Sequence, residues 1–213
     1  MATLYVIGGS SRSGKTTILQ NFLKVNPVMP ISFEALREGV RNIFLDESRV
    51  TIEDISFNGQ ASFRRPGNLE IVQKEFSLHL AQDELVKKAL TGMIKGFDRV
   101  NRDVVIEGAD IDPEYIHSLQ LQNLKVKAVF VGFTEDAYLD VVLRHATDLK
   151  DWVHVVIQEH NGDDSEVRKW YQETKEKNKE MALLAKEYGY GFFSIQADNF
   201  PKHIKEAVGY LTL

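Results

Sequence analysis

The stretch Gly9-Ser10-Ser11-Arg12-Ser13-Gly14-Lys15-Thr16 sets two glycines, a lysine and a threonine at fixed offsets. It matches the pattern G-x-x-x-x-G-K-[ST], which works only between a strand and a helix. Both flanks fit. Thr3 to Gly8 is an apolar run ending in glycine, the mark of a buried strand. Gly14 to Val25 carries Ile18, Leu19, Phe22 and Leu23 on one helix face. The glycines let the backbone curl so that successive N–H groups point at phosphate oxygens, and the following helix sets its positive end beneath the anion. Lys15 can then reach the β- and γ-phosphates, and the Thr16 hydroxyl can ligate Mg²⁺. Chance produces this pattern in roughly 1% of chains of this length, given ordinary residue frequencies. Its strand-to-helix setting turns it from a coincidence into an expected purine nucleoside triphosphate site over Gly9, Ser10, Ser11, Arg12, Ser13, Gly14, Lys15, Thr16 and Thr17.

The remaining pattern alternates strands with helices. Val28 to Ser32, Asp103 to Glu107, Lys125 to Val131 and Gly191 to Ile195 read as further strands. Glu34 to Leu45 reads as a helix through Leu36, Val40, Ile43 and Phe44. Leu69, Val72, Phe76, Leu80, Val86, Leu90, Met93 and Phe97 form one long stripe, and Val167, Trp170, Thr174, Met181, Leu184 and Tyr188 another. Asp112 before Pro113 is a helix start. Such alternation predicts parallel βαβ units, with a sheet of about five strands covered by helices on both faces, an α/β three-layer fold. One excursion is expected over 46–67, where Asn58-Gly59 marks a hairpin across Val50 to Arg65. Its register is open: a two-residue turn pairs Phe57 with Gln60, whereas a one-residue slip gathers the apolar side chains on one face.

Composition narrows the setting. With no cysteine among 213 residues, a disulfide framework, a thiolate zinc site and a cysteine nucleophile are all excluded. No run approaches a membrane span. The first residues enter a strand without a basic leader, so no cleaved signal is expected, and a cytoplasmic protein is the default. A net charge of −5 gives no general affinity for nucleic acid.

Several further segments carry a resemblance. Ile31-Ser32-Phe33-Glu34-Ala35-Leu36-Arg37-Glu38-Gly39-Val40-Arg41, Val105-Ile106-Glu107-Gly108 and Asp163-Asp164-Ser165-Glu166-Val167-Arg168, together with the loop, resemble the adenylate-kinase-like P-loop kinases. The likeness is greatest to the branch containing 2-phosphoglycerate kinases and zeta-toxin-like kinases. It covers most of the chain in outline and departs from that pattern at Glu34, where aspartate is usual. The resemblance implies a P-loop NTPase fold, ATP and Mg²⁺ as cofactors, and a lid over 149–163. It places Glu34 against an acceptor hydroxyl, Arg37 and Arg41 on an anionic acceptor, Glu107 beside Mg²⁺, and Arg144 and Arg168 on the transferred phosphoryl group. Each residue also has a plain alternative: an acidic first-turn residue favouring the helix dipole for Glu34, a hydrogen-bonded buried acid for Glu107, and solvated helix faces for the arginines.

The expected activity is transfer of the γ-phosphoryl group of ATP to a small-molecule acceptor. A nucleoside monophosphate kinase is the nearest rival. A regulatory ATPase or switch that binds a protein partner through the hairpin is the rival from another class. A GTPase is disfavoured, because the nearest string to a guanine-reading Asn-Lys-x-Asp is Asn178-Lys179-Glu180-Met181, inside a helix and lacking the aspartate.

Overall fold

The computed structural model describes residues 1–48, 69–109, 111–144, 152–196 and 198–213, and side chains at 41–83 lie outside that description. Five strands form one sheet: β1 (Ala2–Gly9), β2 (Met29–Ser32), β3 (Val104–Glu107), β4 (Leu124–Gly132) and β5 (Gly191–Ser194), in the order β2-β3-β1-β4-β5. β1 runs parallel to both its neighbours, with Ile7 opposite Glu107 and Gly9 opposite Val131. Leu4, Val6 and Ile7 of β1 and Val104, Val105 and Ile106 of β3 are fully buried. Continuous apolar runs of this kind belong to a parallel sheet covered on both faces. The chain turns to one side of β1 for β2 and β3, then to the other for β4 and β5. The order therefore reverses at β1, and ligands of open α/β sheets bind outside the carboxyl ends of the strands at such a point.

Eight α-helices accompany the strands among the described residues: α1 (Lys15–Val25), α2 (Phe33–Ser48), α3 (Leu69–Val100), α4 (Pro113–Ser118), α5 (Leu139–Arg144), α6 (Trp152–Glu159), α7 (Ser165–Glu187) and α8 (Phe200–Thr212). Asp112 caps α4 by accepting the Tyr115 amide at 2.6 Å, as its place before Pro113 implies. The chain divides into two units, Met1–Ile31 with Phe97–Leu213, and Ser32–Gly96. The core of the first unites Ile18 and Phe22 of α1, Val129 and Val131 of β4, and Val167 and Tyr171 of α7. In the second, Phe33 is buried at the start of α2, and Val86, Leu90 and Ile94 are buried at four-residue intervals along α3.

Parts of the chain differ from, or add to, what the sequence alone leads one to expect. Residues 46–48 end α2 instead of opening an insertion, and the hairpin expected around Asn58-Gly59 lies outside the described residues. The C-terminal helix α8 was not anticipated, although Pro201 and the spacing of Ile204, Ala207 and Leu211 announce it. The segment expected as a lid over 149–163 contains α6. Val153 and Val156 of α6 join the core, and Trp152 and Ile157 pack against it, because 153, 156 and 157 share one helix face. Residues 149–151 lie outside the described residues. The turn after α6 matches its sequence, with Asn161 at φ 56° and Gly162 at φ 91°.

Tyr171 is fully buried, and its hydroxyl donates to the Glu135 carbonyl. Burial, reinforced by the nearby Asp136 carboxylate, pushes its phenol well above the usual tyrosine value. The fold thus favours the protonated phenol. The stability this contributes is complete below about pH 10, the unfolded value, and is lost as pH rises toward the folded one. Urea melts between pH 9 and 11.5 should show stability falling at the alkaline end, by up to about 1.4 kcal/mol per pH unit for one proton. Tyr171→Phe should flatten that fall, and an unchanged slope in the variant would assign it to other groups.

Candidate active site

The loop between β1 and α1 takes the shape that its glycines permit. Gly9 has φ 121°, and a Cβ there would run into the Val131 carbonyl of the adjacent strand. Gly14 has φ 86° and is the N-cap of α1, where a Cβ would stand 2.8 Å from the Phe200 ring. Both positions therefore need glycine for conformation and for space. The Ser10 amide is tied to the Val131 carbonyl at 3.0 Å, which fixes the loop's start to β4. The first bond of α1 runs from the Ile18 amide to the Gly14 carbonyl. The amides of Lys15, Thr16 and Thr17 precede it in the first turn, at the positive end of the helix.

Lys15 is buried, and its ammonium donates to the Ser10 carbonyl at 2.7 Å. The Ser13 hydroxyl donates to the same carbonyl at 2.7 Å, so two side chains brace one turn of the loop. The Ser10 hydroxyl is buried with no hydrogen-bond partner among the described residues. A cation, an unsatisfied hydroxyl and the helix N-terminus together make a cradle suited to a polyphosphate. A cavity of about 340 Å³ opens beside it, lined by Arg12, Gly14, Lys15, Thr16, Tyr138, Val141, Val142 and Phe200. Thr16 and Ser11 are exposed. Thr17 lines instead a groove between α1 and α8.

Four of the cavity residues escaped sequence reasoning. Tyr138, in a 3-10 turn (Asp136–Tyr138), donates its hydroxyl to the Arg12 carbonyl at 2.9 Å. Burial raises the Tyr138 phenol above its usual value, against the opposing pull of Arg12, so it stays a donor at neutral pH. Val141 and Val142 follow on α5, and Phe200 opens α8. No local pattern marks these residues, because α5 and α8 are brought to the loop only by the sheet order.

Among the other candidates, Glu107 is buried at the carboxyl end of β3, opposite Ile7 and two residues before the loop's first glycine in register. Arg144 is exposed at the end of α5, and its Nε donates to the Asp140 carbonyl at 3.1 Å. Arg168 donates to both carboxylate oxygens of Asp164 at 2.8 Å, a bidentate pair that holds its guanidinium charged. Neither arginine lines the cavity. In the second unit, the Ser32 hydroxyl accepts the Ala35 amide at 3.2 Å at the head of α2. Glu34 follows in the first turn, and the Arg37 guanidinium lies 5.2 Å from the centre of the Phe33 ring. Arg41 belongs to α2, with its side chain outside the described residues. Asn178 is fully buried and donates to the Phe133 carbonyl at 2.9 Å, a packing position within α7. No group of three or more His, Asp or Glu side chains assembles a metal site among the described residues, and no described helix is long and apolar enough to cross a membrane.

No protein-family model matches the chain, and no curated protein matches it in sequence. Solved structures do match. A sugar kinase from Janibacter sp. HTCC2649 is 13% identical, covers 100% of this chain and 95% of its own, and gives a TM-score of 0.54. Dephospho-CoA kinase from Campylobacter jejuni is 10% identical over 98% of this chain and 96% of its own, at 0.51. Shikimate kinase from Bacteroides thetaiotaomicron is 15% identical over 99% of each chain, at 0.50. Likeness at such identities speaks to architecture, and with the glycine-hinged loop after β1 it makes this chain's fold the α/β fold of P-loop NTPases, a parallel five-stranded sheet flanked by helices.

Proposed function

We propose that the chain is an ATP- and Mg²⁺-dependent phosphotransferase that moves the γ-phosphoryl group to a small-molecule acceptor. The observation that carries this reading is the buried Lys15 ammonium, folded over a loop hinged at Gly9 and Gly14 beside a cavity of nucleotide scale. The likeness of Ile31–Arg41 and Asp163–Arg168 to 2-phosphoglycerate kinases and zeta-toxin-like kinases supports that branch as the nearest relative.

In this reading the amides at the head of α1 and the Lys15 ammonium hold the outer phosphates. The Ser10 hydroxyl, buried without a partner, gains an acceptor from the phosphate chain. Thr16 and Glu107 are the residues that would hold Mg²⁺, which when bound neutralises charge on the β- and γ-oxygens. Glu34 orients the acceptor hydroxyl and takes its proton, while Arg37 and Arg41 bind an anionic group of the acceptor. The acceptor oxygen forms a bond to the γ-phosphorus as the bond from that phosphorus to the β–γ bridging oxygen breaks, and ADP leaves. Arg144 and Arg168 reach the transferred group only once they release the Asp140 carbonyl and the Asp164 carboxylate.

A screen of sugars, hydroxy acids, phosphorylated metabolites and mononucleotides for acceptor-dependent ADP release tests this directly. Rapid ADP formation with one acceptor class supports a kinase. Slow ADP formation that no acceptor accelerates would overturn it.

A further inference from the structure

A groove of about 590 Å³ runs between α1 and α8, both of which belong to the first unit. Val25, Phe200, Ile204 and Val208 give it apolar walls, and Val25 is 64% exposed. A concave, mostly apolar setting of this size suits a small molecule. The charge around it has one sign. Lys24 and Lys205, one from each helix, are the charged residues of the lining, and no acid joins them. α1 carries no acidic residue from Lys15 to Val25. On α8, the residues three and four places from Lys205 are Pro201, Lys202, Val208 and Gly209. Neither ammonium forms an ion pair among the described residues, and Lys24 donates to the neutral Asn21 Oδ1 at 3.2 Å. On a chain of net charge −5, this groove is a local exception.

Phe200 ties the groove to the loop. It also lines the cavity beside Lys15. Its ring lies 2.8 Å from where a Gly14 Cβ would stand, and the Ile204 Cδ1 lies at 3.1 Å. Two side chains of the groove therefore rest on the N-cap of α1. We propose that the α1–α8 groove is an effector site for a small amphipathic anion, an apolar body bearing one carboxylate, which opposes nucleotide binding through Phe200. The apolar body buries against Val25, Ile204 and Val208, and the carboxylate takes charge-assisted hydrogen bonds from Lys24 and Lys205. An occupant crowds Phe200 toward the cavity at the loop, so two ligands contend for the position of one ring. The effector role rests on the reading that the loop binds ATP, whereas occupancy of the groove does not.

The test measures octanoate, octylammonium and ATP binding by calorimetry for wild type, Lys24→Gln and Lys205→Glu, with thermal melting alongside. Both lysines are exposed, so both variants should melt near wild type. Octanoate should bind the wild type, and octylammonium, with the same chain and the opposite charge, should not. Each substitution should weaken octanoate about 10-fold or more, the loss expected for a hydrogen bond between charged groups, and leave ATP affinity unchanged. Saturating octanoate should weaken ATP binding about 5-fold or more, and ATP should weaken octanoate by the same factor, since coupling is reciprocal. No octanoate binding, equal binding of the two amphiphiles, or undiminished octanoate binding in both variants would overturn the site. ATP affinity unchanged or raised by octanoate would overturn the effector role. Each of these results leaves the phosphotransferase reading standing. Failure of the wild type to bind ATP would remove that reading and the effector role together, while the octanoate measurements still decide the groove.

Discussion

Replacing Lys15 with alanine should lower ATP-dependent turnover by about 10²–10³-fold or more, the range for deleting one preorganised donor to developing charge. The fold should survive. The Lys15 ammonium donates to the Ser10 carbonyl, and that carbonyl still accepts from the Ser13 hydroxyl at 2.7 Å when the lysine is gone. The Ser10 carbonyl is therefore not orphaned, which is the costly outcome of most polar truncations. Circular dichroism and the melting temperature should stay near wild type while ATP affinity and turnover collapse. Full ATP-dependent activity in the variant would remove the basis for a nucleotide site at this loop.

Glu34→Gln should cut phosphoryl transfer by about 10²–10⁴-fold, the range for a positioned acid–base group, with ATP affinity kept within a few-fold. The substitution preserves shape and removes the charge. Ser32 continues to cap the head of α2 through the Ala35 amide, so the helix keeps its N-terminal support. Under the proposed mechanism, the substitution removes the base that takes the acceptor's proton. Pre-steady-state quench-flow separates this from binding, since the loss should fall on the transfer step. An equal loss of ATP affinity and transfer would reassign Glu34 to a structural or metal-holding role.

The parts legible in the sequence are those whose causes are local. The β1–loop–α1 unit reads directly because strand, glycines, lysine and helix face occupy one continuous stretch, and the structure places it as read, from Ala2 to Val25. Glu107 is legible as an acid ending an apolar strand, and its place next to the loop follows from the parallel pairing of β1 and β3. Tyr138 and Phe200 were not legible. Each is an ordinary aromatic in its own segment, and each acquires a role only because β4 and β5 deliver α5 and α8 to the loop. Trp152 packs edge to face with Trp170 at 4.7 Å, and its face also carries Arg12, a contact no local pattern marks. Within the lid expected over 149–163, α6 is marked by the shared face of Val153, Val156 and Ile157.

The division of the chain has a consequence for inheritance. The stretch Ser32–Gly96 is entered once and left once, and the loop, its lysine and all of β1, β3, β4 and β5 are encoded outside it. Glu34, Arg37 and Arg41 are encoded within it. Recombination at these two points could therefore exchange the residues proposed to choose the acceptor while leaving the phosphate cradle's codons untouched. A lineage could in this way change what receives the phosphoryl group without having to reinvent how it is held.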